Sequence, residues 1–277
     1  MSGFRLPRDP LSVFGYVSLA GLLLVGLLGP WLPLGDPTAI GAGPRLGGPS
    51  WDHPFGLDEL GRAFLPRVVD GIRATFLLAG AAVMITAVIG TLLGMVAGYL
   101  GGWIDDLVAR GADVPFAFPA LLLGLLVAAV MGPGAVSAIA VISAATLPPF
   151  IRVVRSVTLG VARRGFVITA EVAGASVWRV MLVHLLPNIL GAAIVQLTYA
   201  LSIGMIIESA LSFLGLGVQP PDASLGSLLR QGSAYLTIAP HMVLGAGLVL
   251  SLAIMSVNLV GDALRDALEP LRGRSLT

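Results

Sequence analysis

From Ala74 to Leu100 the chain carries no charged residue, and from Val114 to Ile151 it again carries none. Stretches of this kind constrain the fold more than any other feature. The hydrocarbon core of a bilayer takes about 20 apolar residues per helix, and inside it every backbone amide must find its partner within the helix or within a closed barrel. Three further runs pass the same test. Ser12 to Leu34 is broken late by Pro30 and Pro33, Val180 to Phe213 carries His184, Pro187 and Glu208, and Thr237 to Gly261 is closed by Asp262, Arg265, Asp266 and Glu269. The first run is long and lacks a small-residue cleavage pattern, so it reads as a retained span rather than a signal peptide. Val114 to Ile151 is too long for one crossing, and Gly132, Pro133 and Gly134 punctuate it. It therefore predicts a hairpin of two helices.

The expectation is an all-α integral membrane protein with six transmembrane helices, because no alternating pattern suggests a barrel. It divides into an N-terminal span and outer loop over residues 1–73, a core of five spans over 74–265 and a tail over 266–277. Within the second run, Gly90, Gly94 and Gly98 recur at four-residue spacing. They form a small-residue ridge against which another helix packs closely.

Composition narrows the function. Of 277 residues 56% are hydrophobic and only 11% charged, where soluble domains carry about a quarter charged. A net charge of +1 supplies no field for phosphates, which excludes a nucleic-acid partner. The chain has no cysteine, and all 16 of its Lys and Arg residues are arginine. Without lysine it lacks the residue with which a Walker A loop holds the β and γ phosphates. His53, His184 and His241 lie far apart, and no serine sits in a G-x-S-x-G context, so neither a zinc site nor a serine hydrolase is legible.

Six spans place both termini on one side, and arginines accumulate on the cytoplasmic side. Arg5, Arg8, Arg110, Arg152, Arg155, Arg163, Arg164, Arg179, Arg265, Arg272 and Arg274 share the side of the termini, against Arg45, Arg62, Arg67, Arg73 and Arg230 on the other. Both termini are expected in the cytoplasm. The outer segments WDHPFGLDELGRAFLPRVVDGIRATF and GLGVQPPDASLGSLLRQGSAYLTIAP contain amphipathic pieces. In the first, Phe64, Leu65, Val68 and Val69 share a helical face suited to the membrane surface or a partner. In the second, Pro220 and Pro221 enforce extended chain before a short helix near Ser227 to Tyr235.

Two polar features remain. Glu208 is an acid well inside an apolar run, and is a candidate pathway or interhelical polar residue. Between spans four and five, Phe166, Val167, Ala170, Ala173, Gly174 and Val177 follow helical spacing, most of them small. They predict a short cytoplasmic helix whose face seats in a partner's cleft, with Gly174 as its stop, Ser176 capping the next helix and Pro187 kinking it.

These residues resemble a known family. The run Gly174 to Pro187, ending HLLPN, is similar to the E-A-A-x-x-x-G loop and downstream I-x-L-P of binding-protein-dependent ABC importer permeases. HPFGLDELGRAFLPRVVDGIR, GYLGGWIDD, ESALSFLGLGVQPPDASLG and NLVGDALRDALEP resemble, in order, the C-type subunit of the peptide and nickel group. Ile168 stands where the family pattern has its glutamate, His184 replaces the isoleucine, and Leu225 stands where tryptophan is common. The resemblance implies a type I importer permease in the bacterial inner membrane, with a coupling helix between spans four and five. It implies a homologous second permease, one or two cytoplasmic ABC ATPase subunits carrying ATP and magnesium, and an extracytoplasmic substrate-binding protein. The implied cargo is a short peptide, with nickel or another small solute as the neighbouring choice, and the implied role is translocation rather than catalysis, without a cofactor or metal in this chain. A self-sufficient channel or secondary transporter would instead show paired intramembrane charges or an inverted repeat.

Overall fold

The computed structural model describes residue 7 and residues 9–268. The tail expected over 266–277 lies outside them beyond Leu268, as do Arg5, Arg8, Arg272 and Arg274. Ten α-helices and no strand are present among the described residues. Five helical segments are long and apolar enough to cross a bilayer, and one bent pair of helices passes the same test only when its two arms are taken together. One end of the bundle carries residues 32–63, 132–134 and 214–239, and is called here the loop end. The other carries most of the arginines.

Helix α1, Pro10–Leu28, starts where the Asp9 carboxylate accepts hydrogen bonds from the Ser12 amide at 3.1 Å and the Ser12 hydroxyl at 2.6 Å. This capping satisfies an otherwise orphan amide. The helix ends at Gly29 and Pro30 in a 3₁₀ turn, Gly29–Trp31. It lies along the last helix, with Ser18 and Ser256 hydroxyls 2.7 Å apart and no room for a side chain at Gly15.

Helix α2 runs from Phe64 to Leu100, ten residues earlier than the uncharged run suggests. Its first turns carry Arg67, Asp70 and Arg73, yet Phe64, Val68, Val69 and Ile72 are buried. Phe64, Val68 and Ile72 pack with Leu225, Leu228, Met242 and Ala246. The amphipathic face expected to meet the membrane surface or a partner is therefore part of the molecule's own core. Farther along, the glycine ridge lies on α5, Ala135–Ala162. A Cβ at Gly90 would come within 2.7 Å of the Phe150 ring, at Gly94 within 2.8 Å of the Ile151 carbonyl oxygen, and at Gly98 within 2.8 Å of the Arg155 carbonyl oxygen. Only glycine lets the two backbones approach this closely.

The expected hairpin from Val114 to Ile151 is present, with its turn at residues 132–134, but its first arm is one short helix. Helix α3 is Gly102–Phe116 and α4 is Ala120–Met131, and the chain bends by 82° between them. Pro119 disfavours helical backbone in the residue before it, so the helix stops and restarts. Alone, α4 spans about 18 Å, well short of the roughly 30 Å of a hydrocarbon core. Helix α3 is instead tied to α5 by Asp105 with Arg155 and by Asp113 with Arg152 at 2.5 Å. Both arginines, expected in a loop, belong to the last turns of α5.

The remaining elements are α6, Gly165–Val172; α7, Val177–Arg179; a π-helical turn, Val180–Leu185; α8, Leu186–Phe213; α9, Leu225–Ser233; and α10, Pro240–Leu268. Helix α9 opens with a reciprocal cap between Ser224 and Ser227 and buries Leu225 and Leu228 between α2 and α10.

Candidate functional site

The segment between α5 and α8 is built from three stops. Arg163 ends α5 and α6 begins two residues later. Gly174, at φ +80°, turns the chain through the left-handed region that other residues enter only at a cost. The Ser176 hydroxyl then accepts from the Arg179 amide at 3.4 Å, starting the next helix. Pro187 has no N–H and its ring would press on the carbonyl four residues back. The chain accommodates it by widening into a π turn, in which the Leu186 amide reaches the Met181 carbonyl. The irregularity at Pro187 is thus a widened turn just before it.

The six residues expected on one docking face do not share one. Helix α6 closes at Val172, so Ala173 is its cap, Gly174 its stop, and Val177 belongs to α7. Val167 is completely buried, packed with Val161, Val180, Met181 and Leu185. It anchors α6 to the spans and cannot meet a partner. The stop at Gly174 is where the spacing puts it; the face is divided because Val177 lies beyond that stop and Val167 turns inward onto Val180, Met181 and Leu185. Of the expected residues Phe166, at 42%, and Val177, at 44%, stand outward, and so do Ile168 at 49%, Val172 at 85% and Trp178 at 64% exposure. Ala170 is half-buried beside them.

Two side-chain contacts stiffen this unit. Glu171, which does not occupy the position of the family acid, accepts a hydrogen bond from the Tyr99 hydroxyl at 2.7 Å, joining α6 to the end of α2. The Phe166 and His184 rings stand 6.3 Å apart, joining α6 to the π turn. These contacts tie α6 to the end of α2 and to the π turn that opens α8.

At the loop end, Glu208 is fully buried. Its carboxylate accepts from the Ser212 hydroxyl at 2.7 Å, the Thr75 hydroxyl at 3.0 Å and the Ser209 hydroxyl at 3.4 Å. Thr75 in turn accepts from the Leu225 amide at 3.2 Å, and Ser212 from the Val218 amide at 3.2 Å. One acid thus joins α2, α8, the loop after α8 and the start of α9. Of the two roles open from sequence, this is the geometry of an interhelical tie.

A second buried acid escaped the sequence reading. Asp58 accepts from the amides of Leu60 and Arg62, both at 2.9 Å, from the Arg62 guanidinium at 2.6 Å and from the nearly buried Arg67. Burial alone pushes its carboxyl up, but these amides and guanidinium groups hold it below the usual carboxylate range. The D-E-L-G-R spacing is the local signal for the turn; nothing local signals Arg67.

A bundle of bilayer-length helices, with a short exposed apolar helix at one end tied to two of them, defines a multi-pass membrane protein. Residues 90–274 match the family described as binding-protein-dependent transport system inner membrane component, and the chain belongs to that family. It is 35% identical over 266 residues to a dipeptide transport system permease protein of Alkalihalophilus pseudofirmus, covering 96% of this chain and 88% of that one. It is 37% identical over 223 residues to a glutathione transport system permease protein of Pectobacterium atrosepticum, covering 80% and 74%. A putative peptide transport system permease protein of Brucella abortus is 35% identical over 266 residues, covering 96% and 90%.

Proposed function

We propose that this chain is the translocating subunit of an ATP-driven importer of short peptides. The names of its relatives, which include dipeptide, glutathione and peptide permeases, support that cargo. In this reading the chain pairs with a homologous second permease to form the pathway. Cytoplasmic ATPase subunits carry ATP and magnesium, and this chain itself holds neither cofactor nor metal. The arginine bias supports placing both termini and α6 in the cytoplasm of the inner membrane, and the loop end outside, where a substrate-binding protein delivers cargo.

The observation that carries the reading is the coupling of α6. Its outer side offers Phe166, Ile168 and Val172 to a cleft, while Val167 and the Tyr99–Glu171 bond fix its inner side to the spans. Closure of the ATPases would push α6, and α2 and α8 would move with it as packed elements. With Ile168 at the position of the family acid, apolar packing supplies the contact.

The test is reconstitution. The gently solubilised chain should co-purify with a P-loop ATPase, and the assembled complex should accumulate dipeptide in proteoliposomes only with ATP and the binding protein. Failure to associate with any such ATPase would sink the importer reading, and an active complex that ignores peptides would sink the cargo.

A further inference from the structure

A cavity of about 570 Å³ opens at the loop end between α2, the turn at residues 134–135 and the loop after α8. Its size is that of a small-molecule site. Three charged side chains line it: Asp70 and Arg73 from α2, and Asp222 from the loop. None of the three forms an ion pair among the described residues. Asp70 and Arg73 lie in the second and third turns of a membrane-spanning helix. That helix has 37 residues, more than a bilayer core needs, and both charges precede its uncharged run from Ala74, so they stand at the loop end where water or a ligand reaches them. The rest of the wall is largely apolar, including Leu77 and Pro220.

We infer that this cavity is an outer subsite for the peptide, with Asp70 and Asp222 holding its terminal ammonium and Arg73 its carboxylate or a backbone carbonyl. The inference rests on the peptide reading above and adds the residues that receive the cargo. A short peptide is a zwitterion with a neutral backbone and a variable side chain. Two acids against one base suit the end that must be held, since charge-assisted bonds are the strong ones and a guanidinium fork fits a carboxylate. Leu77 and Pro220 offer an apolar surface that accepts side chains without selecting among them. The cavity is also wired to the spans. Its loop wall includes Val218, whose amide is held by Ser212, and Ser212 donates to Glu208 on α8. The same acid ties α8 to the loop wall through Ser212 and to the α2 wall through Thr75, so both walls of the site are linked to α8.

The chain's lack of cysteine permits a direct test in the complete transporter. Ala74→Cys places a thiol on the cavity wall, and Gln219→Cys places one on its exposed rim should the first variant fold poorly. Labelling of this chain by a cationic and an anionic methanethiosulfonate of equal size is followed by mass. Charge focusing in a cleft predicts that the cationic reagent reacts about tenfold faster, and that Asp70→Asn with Asp222→Asn removes the preference. Binding protein loaded with dialanine should slow labelling in the complex that keeps both acids, and should not slow it in the double variant. Absence of protection in a complex that transports dialanine overturns the subsite while leaving the peptide reading intact. Equal protection by empty binding protein also overturns it, and makes the cavity part of the docking surface. A complex that transports no dialanine at all overturns the peptide reading instead.

Discussion

The two ends of the bundle solve opposite problems. At the loop end, two acids are buried and answered: Asp58 by two amides and two guanidinium groups, Glu208 by three hydroxyls. At the arginine-rich end, apolar side chains such as Val172 and Trp178 stand in the open, and α6 is held by one hydroxyl bond, one ring contact and the buried Val167. A buried charge that loses its partner is expensive, so the loop end is committed to one arrangement. An exposed apolar surface outside the lipid marks a place for a partner. The two buried acids are answered by their own chain, and the apolar face of α6 is not covered by it.

The largest test of that contrast is Asp58→Ala. It leaves Arg67 buried without a counter-charge, and truncating one member of a buried pair costs about 3–5 kcal/mol. Thermal unfolding of the solubilised protein should drop accordingly, and protease should cut first within residues 41–63. Acid should imitate the change. Because the folded carboxyl of Asp58 is held below its unfolded value, its contribution is complete above about pH 4 and is lost as pH falls through the lowered value. Stability attributable to this residue is thus flat at neutral pH. Asp58→Asn should flatten the acid limb of the pH profile, and an unchanged limb would remove Asp58 from the account.

Next in size is Gly94→Val, which attacks the contact between α2 and α5 that joins the two ends. Even a single Cβ there would stand 2.8 Å from both the Ile151 carbonyl oxygen and the Val154 Cβ. Backbone cannot yield as a side chain can, so the helices must separate, at a cost of about 1–3 kcal/mol. The same substitution at Gly80, whose position is open, should be tolerated. Equal loss at both would mean that the close approach is not what the glycine provides.

Ala170→Arg addresses the unfinished end. A long cation does not enter a cleft shaped for a methyl group, and overpacking of this kind costs about 1–3 kcal/mol, or roughly ten- to a hundredfold in ATPase affinity. The isolated subunit should keep its thermal stability. A complex that assembles and transports normally would show that the partner does not meet this side of α6.

Most of the helical bundle was legible because its signal is local and long. Apolar runs the length of a bilayer marked α1, α5, α8 and α10 to within a few turns, and four-residue spacing marked the glycine ridge without any knowledge of α5. What failed depended on partners distant in the chain. The helical face over Phe64–Val69 was legible, but Arg67, Asp70 and Arg73 set it apart from the span because charge ends an apolar run, yet Asp58 answers Arg67 and a cavity receives the others, so α2 continues through them. The bend between α3 and α4 had a local sign in Pro119, outweighed by the uncharged run around it. At the candidate site, the stop at Gly174 and the cap at Ser176 were legible from residue type. The inward turn of Val167 was not, because it depends on Val180 and Leu185 arriving from the π turn. Glu208 announced itself as an anomaly, but its principal partner outside α8, Thr75, is 133 residues away.

The smallest expected effect separates rigidity from contact. Gly174 sits at φ +80° with nothing within 4 Å of an added Cβ, so substitution there meets no steric neighbour and pays only for its backbone. A side chain in the left-handed region costs about 1–2 kcal/mol, and a β-branched one lies at the upper end because such residues are true outliers there. Gly174→Val should therefore lower transport more than assembly, since it strains the turn between α6 and α7 without touching the outward residues Phe166, Ile168 and Val172. Gly174→Asn, which tolerates the same backbone, should restore most of the transport. If valine and asparagine behave alike, the turn is a passive linker, and force from the ATPases reaches the spans through Val167 and the Tyr99–Glu171 bond alone.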